Sequence, residues 1–288
     1  MMEIPLFTVD AFARSCFDGN PAAVCLLEKA LPEELYQNIA AEMNVSATAF
    51  IMKLSSTDDF SSGATFSLRW FTPKHEIDLC GHATLASAAV LFYHRENTNT
   101  EVVFKTLSGE LRVRQRGESL VMDFPLSKPE VQDQSEYKDI LKAAVGDMDI
   151  KEVCLSETSK KLLVRLTDTC DRSAFRSMKP VAEDLLRHED GRKFQGIIVT
   201  MKGESVPLVK YDFVSRYFAP WHGVFEDPVC GSAHTVLAAY WSEKLRKKKM
   251  LAHQCSKRGG ELELEVKDES RVDIAGQAVV IFQGTLKL

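Results

Sequence analysis

The sequence predicts an α+β fold of two similar halves, each with a β-sheet wrapped around one buried helix. The first observation behind this prediction is an internal repeat, in which short motifs recur in one order at offsets of 147 to 151 residues. The repeated pairs are Arg69-Trp70-Phe71-Thr72-Pro73 and Arg216-Tyr217-Phe218-Ala219-Pro220, Cys80-Gly81-His82-Ala83 and Cys230-Gly231-Ser232-Ala233, and Gly109-Glu110-Leu111 and Gly260-Glu261-Leu262. The second is that residues 81–93 are small and apolar on every side, which is typical of a helix that is buried all round. The third is that strand-like segments precede and follow this helix, so a sheet curled around it is the simplest arrangement.

The composition is that of a globular protein with two domains of ordinary size. The chain has 288 residues, of which 45% are hydrophobic and 27% charged, and at this length a single core rarely keeps growing. Its net charge is −5 and its pI about 5.9, which argues against nucleic acid or an anionic membrane surface as a partner. We expect neither a signal peptide nor a membrane span, because no basic segment precedes an early apolar stretch and no apolar run is long enough to cross a bilayer.

The seven cysteines favour a reducing, cytoplasmic location. Their number is odd and they are not densely spaced, so we expect free thiols rather than a disulfide framework. No Cys-x-x-Cys motif occurs and no histidine stands at ligand spacing from a cysteine pair, so we expect no zinc or other metal.

Local patterns predict the elements of the first half in order. Alternating apolar residues predict strands at 4–13 and 22–27, on either side of a turn at Asp18-Gly19-Asn20-Pro21. Helical spacing, with Pro32 in the first turn, predicts a helix at 32–43. Further strands are predicted at 48–54, 66–71, 101–107, 110–116 and 120–124, with a polar loop at 55–63. The buried helix lies between the fourth and fifth strands of this half.

The second half repeats this plan after a polar linker at 127–136 and a helix at 137–145. Strands are predicted at 161–166, 196–201, 211–218, 261–266, 272–274, 279–282 and 285–288, and a second small-residue helix at 232–241. A final strand that returned to the first half would close its sheet and remove an exposed edge. We therefore predict a first domain of residues 1–126 completed by 278–288, and a second domain of residues 127–277.

A cysteine precedes each buried helix, and we expect the chemistry at this repeated position. A helix start presents unpaired N–H groups and a partial positive charge, which suits a substrate carboxylate, and Gly81 and Gly231 let a ligand approach closely. The same field lowers the pKa of a neighbouring thiol, so Cys80 and Cys230 are candidate acid–base groups. The alternative is that both cysteines only pack the helix start, but their repetition favours a catalytic role.

Three polar residues near these cysteines are further candidates. His82 and Ser232 hold equivalent places at the starts of their helices, and an imidazole can act as acid or base near neutral pH. Asp227 either takes part in catalysis or caps the helix or the turn before it. Arg69 and Arg216 are predicted to form structural salt bridges rather than to bind a ligand.

Five motifs also follow one another in order along nearly the whole chain. They are Val9-Asp10-Ala11-Phe12, Gly19-Asn20-Pro21-Ala22-Ala23-Val24, Arg69-Trp70-Phe71-Thr72-Pro73, Leu79-Cys80-Gly81-His82-Ala83-Thr84 and Glu226-Asp227-Pro228-Val229-Cys230-Gly231-Ser232-Ala233-His234. These motifs resemble those of the PhzF family of phenazine-biosynthesis-like isomerases. The resemblance implies the diaminopimelate epimerase-like fold, with two β-barrel domains around central helices and the active site in the cleft between them. It further implies proton transfer on a small carboxylate substrate without a cofactor, a homodimer and, from a family name alone, a WD-repeat protein as partner.

The resemblance also assigns roles to individual residues. The catalytic positions correspond to His82, Asp227 and Ser232, and we expect Ser46, Gly81 and Gly231 to contact the substrate. The family's principal acid–base carboxylate stands in an Asn-x-Ser-Glu-Thr motif, but this chain has Asn44-Val45-Ser46-Ala47-Thr48. A methyl group cannot transfer a proton, and loss of a general acid or base typically costs about 10²–10⁴-fold in rate. Ala47 therefore predicts an impaired isomerase or a changed mechanism.

A second departure from the family supports a different mechanism. The family usually has threonine where this chain has Cys230, whereas related epimerases and racemases of the same fold have a cysteine at both helix starts. In those enzymes one thiol takes the α-proton and the other delivers a proton to the opposite face, and Cys80 and Cys230 recreate that pair. Three functions thus remain open: a PhzF-like isomerase, a two-thiol racemase or epimerase, and an inactive relative that binds a small acid or a protein.

Overall fold

The computed structural model describes residues 2–55, 57–203, 205–206 and 209–288. The strands are β1 (Glu3–Ala11), β2 (Asn20–Leu27), β3 (Ala47–Lys53), β4 (Thr65–Phe71), β5 (Glu76–Ile77), β6 (Glu101–Thr106), β7 (Gly109–Arg116), β8 (Ser119–Pro125), β9 (Glu130–Val131), β10 (Ile150–Ser156), β11 (Lys161–Leu166), β12 (Gly196–Lys202), β13 (Ser205–Val206), β14 (Val209–Lys210), β15 (Phe213–Ala219), β16 (Val224–Glu226), β17 (Lys249–Gln254), β18 (Gly260–Val266), β19 (Arg271–Gly276) and β20 (Ala278–Lys287). The α-helices are α1 (Glu33–Met43), α2 (Gly81–Ala89), α3 (Lys138–Val145), α4 (Arg172–Ser177), α5 (Ala182–His188) and α6 (Gly231–Leu245). A π-helical turn, Val90–His94, continues α2, and 3₁₀ turns lie at Gln134–Tyr137 and Pro220–His222.

The chain divides into two units, and the first is formed by both ends of the chain. Unit 1 comprises Met1–Phe124 and Asp273–Leu288, and unit 2 comprises Pro125–Val272. In unit 1, β1 pairs antiparallel with both β2 and β20, and β2 runs parallel to β3 after the crossover through α1. β3 pairs antiparallel with β4, which runs parallel to β6, and β6, β7 and β8 follow as an antiparallel meander.

Helix α2 is the core element of unit 1. It contacts β1, β2, β3 and β20, and all of its residues are buried. The helix is built from small residues, so strands can approach its backbone closely. Its two buried hydroxyls stay within the helix, since Thr84 donates to the Cys80 carbonyl at 2.6 Å and Ser87 to the Ala83 carbonyl at 2.7 Å. A helix without a polar face is therefore stable inside the sheet.

Unit 2 repeats this order of strands around α6. β10 pairs antiparallel with β11, β11 runs parallel to β12, and β12 pairs antiparallel with β15. β15 then runs parallel to β17, which pairs antiparallel with β18. Helix α6 is buried along most of its first eleven residues, and the short helices α4 and α5 stand where unit 1 has α1.

Some elements differ from the sequence prediction. β10, β17, α4 and α5 were not predicted, because charged residues interrupt the strand patterns and the two helices are too short to show a helical period. The predicted linker contains β9 and a 3₁₀ turn, and the two predicted final strands form the single strand β20. The cysteines are all free, as expected. None of the described helices combines the length and apolar character needed to cross a bilayer.

Candidate active site

Equivalent elements of the two units place a cysteine at the start of each buried helix. Cys80 is the N-cap residue of α2 and Cys230 is the N-cap residue of α6, both with extended backbone conformation. Each follows a strand that contains the Arg-aromatic-Phe motif, β4 in unit 1 and β15 in unit 2. The repeat in the sequence is thus a repeat of structure at the candidate site.

The two motif arginines support the loops that lead to these helix starts. Arg69 forms paired hydrogen bonds with Glu76 at 2.7 and 2.8 Å, and Arg216 forms the same pairing with Glu226. Arg69 also pairs with Glu33, and Arg216 donates to three backbone carbonyls of the segment 175–178. The predicted structural role of both arginines is confirmed.

In unit 1, three predicted site residues form a hydrogen-bonded chain. The Cys80 Sγ lies 3.4 Å from His82 Nδ1, and His82 Nε2 lies 3.1 Å from the Ser46 Oγ. The hydroxyl proton of Ser46 is directed to oxygen acceptors of Asn20 and Pro21, each at 2.8 Å. Ser46 can therefore only accept from His82, so Nε2 carries the ring proton and Nδ1 is free to accept the proton of the Cys80 thiol. We call Ser46, Ala47, Cys80, Gly81 and His82 the α2 half-site.

Burial keeps the His82 ring neutral. Desolvation lowers the pKa of His82 to about 3, so the expectation that this ring titrates near neutral pH is wrong. The helix start does not favour the charged ring either, because the partial charge at a helix N-terminus is positive. The neutral ring can still accept a hydrogen bond from the thiol beside it.

Ala47 lies next to this chain as the first residue of β3. It is fully buried and pairs with Ala22 on β2. The position where the resemblance places a carboxylate therefore holds a buried methyl group, adjacent in sequence to the Ser46 hydroxyl. The other described side chains of the α2 half-site that carry an exchangeable proton are those of Cys80, His82 and Ser46.

In unit 2, Cys230 itself caps the helix. Its Sγ accepts a hydrogen bond from the Ala233 N–H at 3.4 Å and lies 3.3 Å from the Ser232 Oγ. Asp227 is not the N-cap residue, and its backbone N–H donates to the Tyr217 carbonyl at 3.0 Å. We call Asp227, Cys230, Gly231 and Ser232 the α6 half-site.

Residues that sequence reasoning missed hold the loop before α6 in place. Gln254, fully buried on β17, donates to the Asp227 carbonyl at 2.6 Å and accepts from the Cys230 N–H at 2.9 Å. His234 donates from Nδ1 to the Cys230 carbonyl at 2.7 Å, and Ser256 donates to the Pro228 carbonyl. His234 ends the motif at 226–234, but no sequence pattern indicated Gln254, because its strand was not predicted.

The thiol of Cys230 is protonated at neutral pH. Burial raises its pKa to about 12 and the charge of Asp227 adds to this, against smaller lowering effects from Lys161, Ser232 and the Ala233 N–H. The prediction of a lowered thiol pKa is wrong for Cys230, because desolvation of the thiolate outweighs the field of the helix start. In its resting state Cys230 can donate a proton but not accept one.

The described side chains offer proton transfer rather than metal ligation. No group of three or more His, Cys, Asp or Glu side chains in the described part of the chain could hold a metal ion. The α2 half-site has a neutral acceptor, His82, behind a thiol, and the α6 half-site has a protonated thiol beside a hydroxyl.

Comparison with known proteins finds relatives that match nearly the whole chain. A family model described as phenazine biosynthesis-like protein matches residues 9–284. Mouse phenazine biosynthesis-like domain-containing protein 1 is 53% identical over 286 residues, which cover 99% of each chain. A protein of Pseudomonas aeruginosa named as an uncharacterized isomerase is 43% identical, with 100% of both chains covered.

Solved structures show the same fold. A PhzF family protein of Enterococcus faecalis matches with a TM-score of 0.87 and 41% identity over 100% of both chains. A Pseudomonas aeruginosa protein titled a predicted epimerase matches with a TM-score of 0.73 and 21% identity over 99% of both, a likeness of fold alone. The predicted α+β, diaminopimelate epimerase-like fold class is confirmed.

Proposed function

This chain belongs to the PhzC-PhzF family of phenazine biosynthesis-like proteins, and we propose that it is a cofactor-independent isomerase that moves a proton on a small carboxylate-bearing substrate. Two Pseudomonas aeruginosa relatives named as uncharacterized isomerases support the reaction class. The observation that carries the proposal is the hydrogen-bonded chain from Cys80, at the buried start of α2, through His82 to Ser46.

In the proposed reaction the two half-sites act on one substrate. Backbone N–H groups at Gly81 and Gly231 hold its carboxylate, since helix starts favour anions. Cys80 takes the α-proton of the substrate as a thiolate, formed by loss of its own proton to solvent, and the neutral ring of His82 positions the sulfur. In a PhzF-like isomerase the same thiol returns the proton to another carbon of the substrate. In the two-thiol alternative Cys230, which is protonated at rest, delivers a proton instead, and the Ser232 hydroxyl at 3.3 Å stabilises the thiolate that remains. Asp227 keeps Cys230 protonated until that step.

Hydrogen–deuterium exchange at the α-carbon tests the proposal. The protein is incubated in D₂O with a panel of small α-amino and α-hydroxy carboxylates, and the loss of each α-proton signal is followed by NMR. We expect exchange in at least one substrate, reduced about 10²-fold or more by Cys80→Ser or His82→Asn. Cys16→Ser, at an exposed cysteine, is the matched control and should exchange as the wild type does. Wild-type rates in the Cys80→Ser protein would contradict the proposed roles.

Cys230 supports a two-thiol racemase or epimerase as a second candidate. The variant Cys230→Thr separates the candidates, because threonine is the residue that the resemblance places there. A PhzF-like isomerase keeps its activity with threonine at 230. A two-thiol racemase loses it and stops forming the opposite enantiomer, which chiral chromatography measures.

Ala47 supports a third candidate, a relative that binds a small acid without turning it over. Ala47→Glu restores a carboxylate beside Ser46. If the wild type exchanges no substrate and the variant does, the chain is a latent isomerase whose present role is binding. If the wild type already exchanges its substrate, Ala47 is compatible with catalysis and this candidate is rejected.

A further inference from the structure

A buried lysine faces the start of α6 from the sheet of unit 2. Lys161 is the first residue of β11 and is only 8% exposed. Residues an even number apart on a strand share a face, so Lys161 and Arg165 point the same way. The guanidinium of Arg165 lies 4.5 Å from the centre of the Trp241 ring on α6. Lys161 therefore lies on the face of β11 that packs against α6.

From the contact between Arg165 and Trp241, the strand back to Lys161 and the helix back to its start have similar lengths. Four residues of strand from Arg165 to Lys161 span about 13 Å. Ten residues of helix from Trp241 back to Gly231 span about 15 Å. Burial lowers the pKa of Lys161, whereas the thiolate form of Cys230 and the Asp227 carboxylate raise it, as expected for groups that lie close to one another.

The strand register places a second polar group beside this lysine. Lys161 pairs with Gly196 on β12, and the Tyr217 ring and hydroxyl occupy the space where a side chain at 196 would lie. The Tyr217 pKa is raised well above its usual value by burial, and further by the charges of Cys230 and Asp227. Lys161, Tyr217 and Cys230 thus belong to one buried cluster, with Asp227 at its edge.

The ammonium of Lys161 is incompletely satisfied. Its Nζ donates to the Ser159 carbonyl at 3.0 Å, which among the described residues is its one hydrogen bond, although an ammonium has three protons to donate. A buried cation with unused donors costs free energy, and lysine is almost never fully buried without a partner. Its position opposite a thiol and a carboxylate indicates a role in charge balance.

We propose that Lys161 is a positioning residue of the α6 half-site, whose ammonium supplies the counter-charge when Cys230 gives up its proton. Asp227 acts on the thiol with the opposite sign. The Ser232 hydroxyl and the Ala233 N–H contact the sulfur, while His234 contacts the Cys230 carbonyl. The inference extends the two-thiol candidate of the proposed function, because it rests on Cys230 as the proton donor.

The pH dependence of Cys230 alkylation tests the inference without a substrate. The intact protein is treated with iodoacetamide across a pH series, and labelling of the Cys230 peptide is measured by mass spectrometry. In Lys161→Met and Lys161→Gln we expect labelling of Cys230 to be about tenfold slower at each fixed pH, because the thiolate fraction falls about tenfold for each unit by which the thiol pKa rises. Lys161→Arg retains the charge and should titrate as the wild type does. The neutral glutamine variant provides the comparison if the methionine variant does not fold.

Two references separate the proposed role from a general loosening of the protein. Lys160→Met changes the exposed neighbour and should leave the Cys230 titration unchanged. Cys80 in the same samples reports on unit 1 and should not move. An unchanged Cys230 titration in a folded neutral variant, or an equal shift of Cys80, would overturn the inference. Either result would leave the isomerase proposal intact, because that proposal is tested by substrate exchange.

Discussion

The most informative single residue is His82, because its burial links the candidate site to acid sensitivity. Its pKa is lowered from 6.5 to about 3, so on acidification the unfolded chain takes up a proton before the folded one does. The free energy of unfolding must therefore fall as the pH drops below about 6.5, and continue to fall until about pH 3. His234, whose pKa is lowered to about 4, acts in the same direction.

Between pH 7 and pH 4.5 the free energy of unfolding falls, and we predict that this fall is about 2–3 kcal/mol smaller in His82→Asn than in the wild type. Urea unfolding at both pH values measures this difference. Any destabilisation by the substitution that is the same at both pH values cancels. His188→Asn, at an exposed histidine, is the matched control and should keep the wild-type pH dependence. An equal pH dependence in the wild type and the His82 variant would contradict a buried neutral ring.

The sequence predicted which residues stand at the starts of the buried helices, but it did not predict their protonation states. The repeated motif located Cys80, His82, Cys230 and Ser232, because a cysteine before a small-residue helix is a local pattern. The field of a helix start is also local, and it argued for a lowered thiol pKa. Burial depends on the strands packed around the helix, and desolvation reverses that expectation for Cys230.

At the scale of elements, the equivalent strands β3 and β12 differ in the space that they leave for a side chain at their first residue. Ala47 and Gly196 are the first residues of these two strands, and each pairs with the strand before it in parallel register. A side chain at 196 would overlap the ring and hydroxyl of Tyr217, which is itself buried. The aromatic residue of the second motif thus requires a glycine on the neighbouring strand.

We predict that Gly196→Ala lowers the free energy of unfolding by about 1–3 kcal/mol, because the added methyl forces Tyr217 out of place. Alanine in a strand interior would otherwise be slightly stabilising, so the sign of the effect is diagnostic. Ala47→Gly is the matched change in unit 1 and should cost no more than about 1 kcal/mol. Urea unfolding of both variants measures the contrast, and a stabilised Gly196→Ala protein would contradict the packing described.

The final strand, β20, is a second element with a distinct role. It pairs with β1 from Glu3 to Ala11, and its own side chains are half-buried or exposed. We predict that deletion of residues 278–288 leaves β1 as an open edge and causes loss of stability and aggregation. Phe282→Ser, at a residue that is 53% exposed, should change stability by less than about 0.5 kcal/mol. Thermal unfolding with light scattering compares the two, and a stable, monodisperse truncated protein would contradict the assignment.

For the whole molecule, duplication explains why the fold class could be predicted although several elements were not. The motifs fall on β4, α2 and β7 in unit 1 and on β15, α6 and β18 in unit 2, so matched motifs fixed matched elements. The halves differ elsewhere. The single helix α1 of unit 1 is long enough to show a periodic apolar face, whereas its counterparts α4 and α5 in unit 2 are short and bury one residue each. The periodic pattern therefore predicted α1 and did not predict α4 or α5.

The same duplication leads to a prediction about how the half-sites work together. If Cys80 and Cys230 serve one proton transfer, Cys80→Ser alone already removes most of the activity, and adding Cys230→Ser costs little more. The combined loss of rate in the double variant is then much smaller than the product of the two single losses, as for residues that act as a unit. Deuterium exchange rates for the four proteins measure this coupling. Losses that multiply would mean that each half-site acts independently. Cys25→Ser, at a buried thiol that belongs to neither half-site, shows the effect of removing any sulfur.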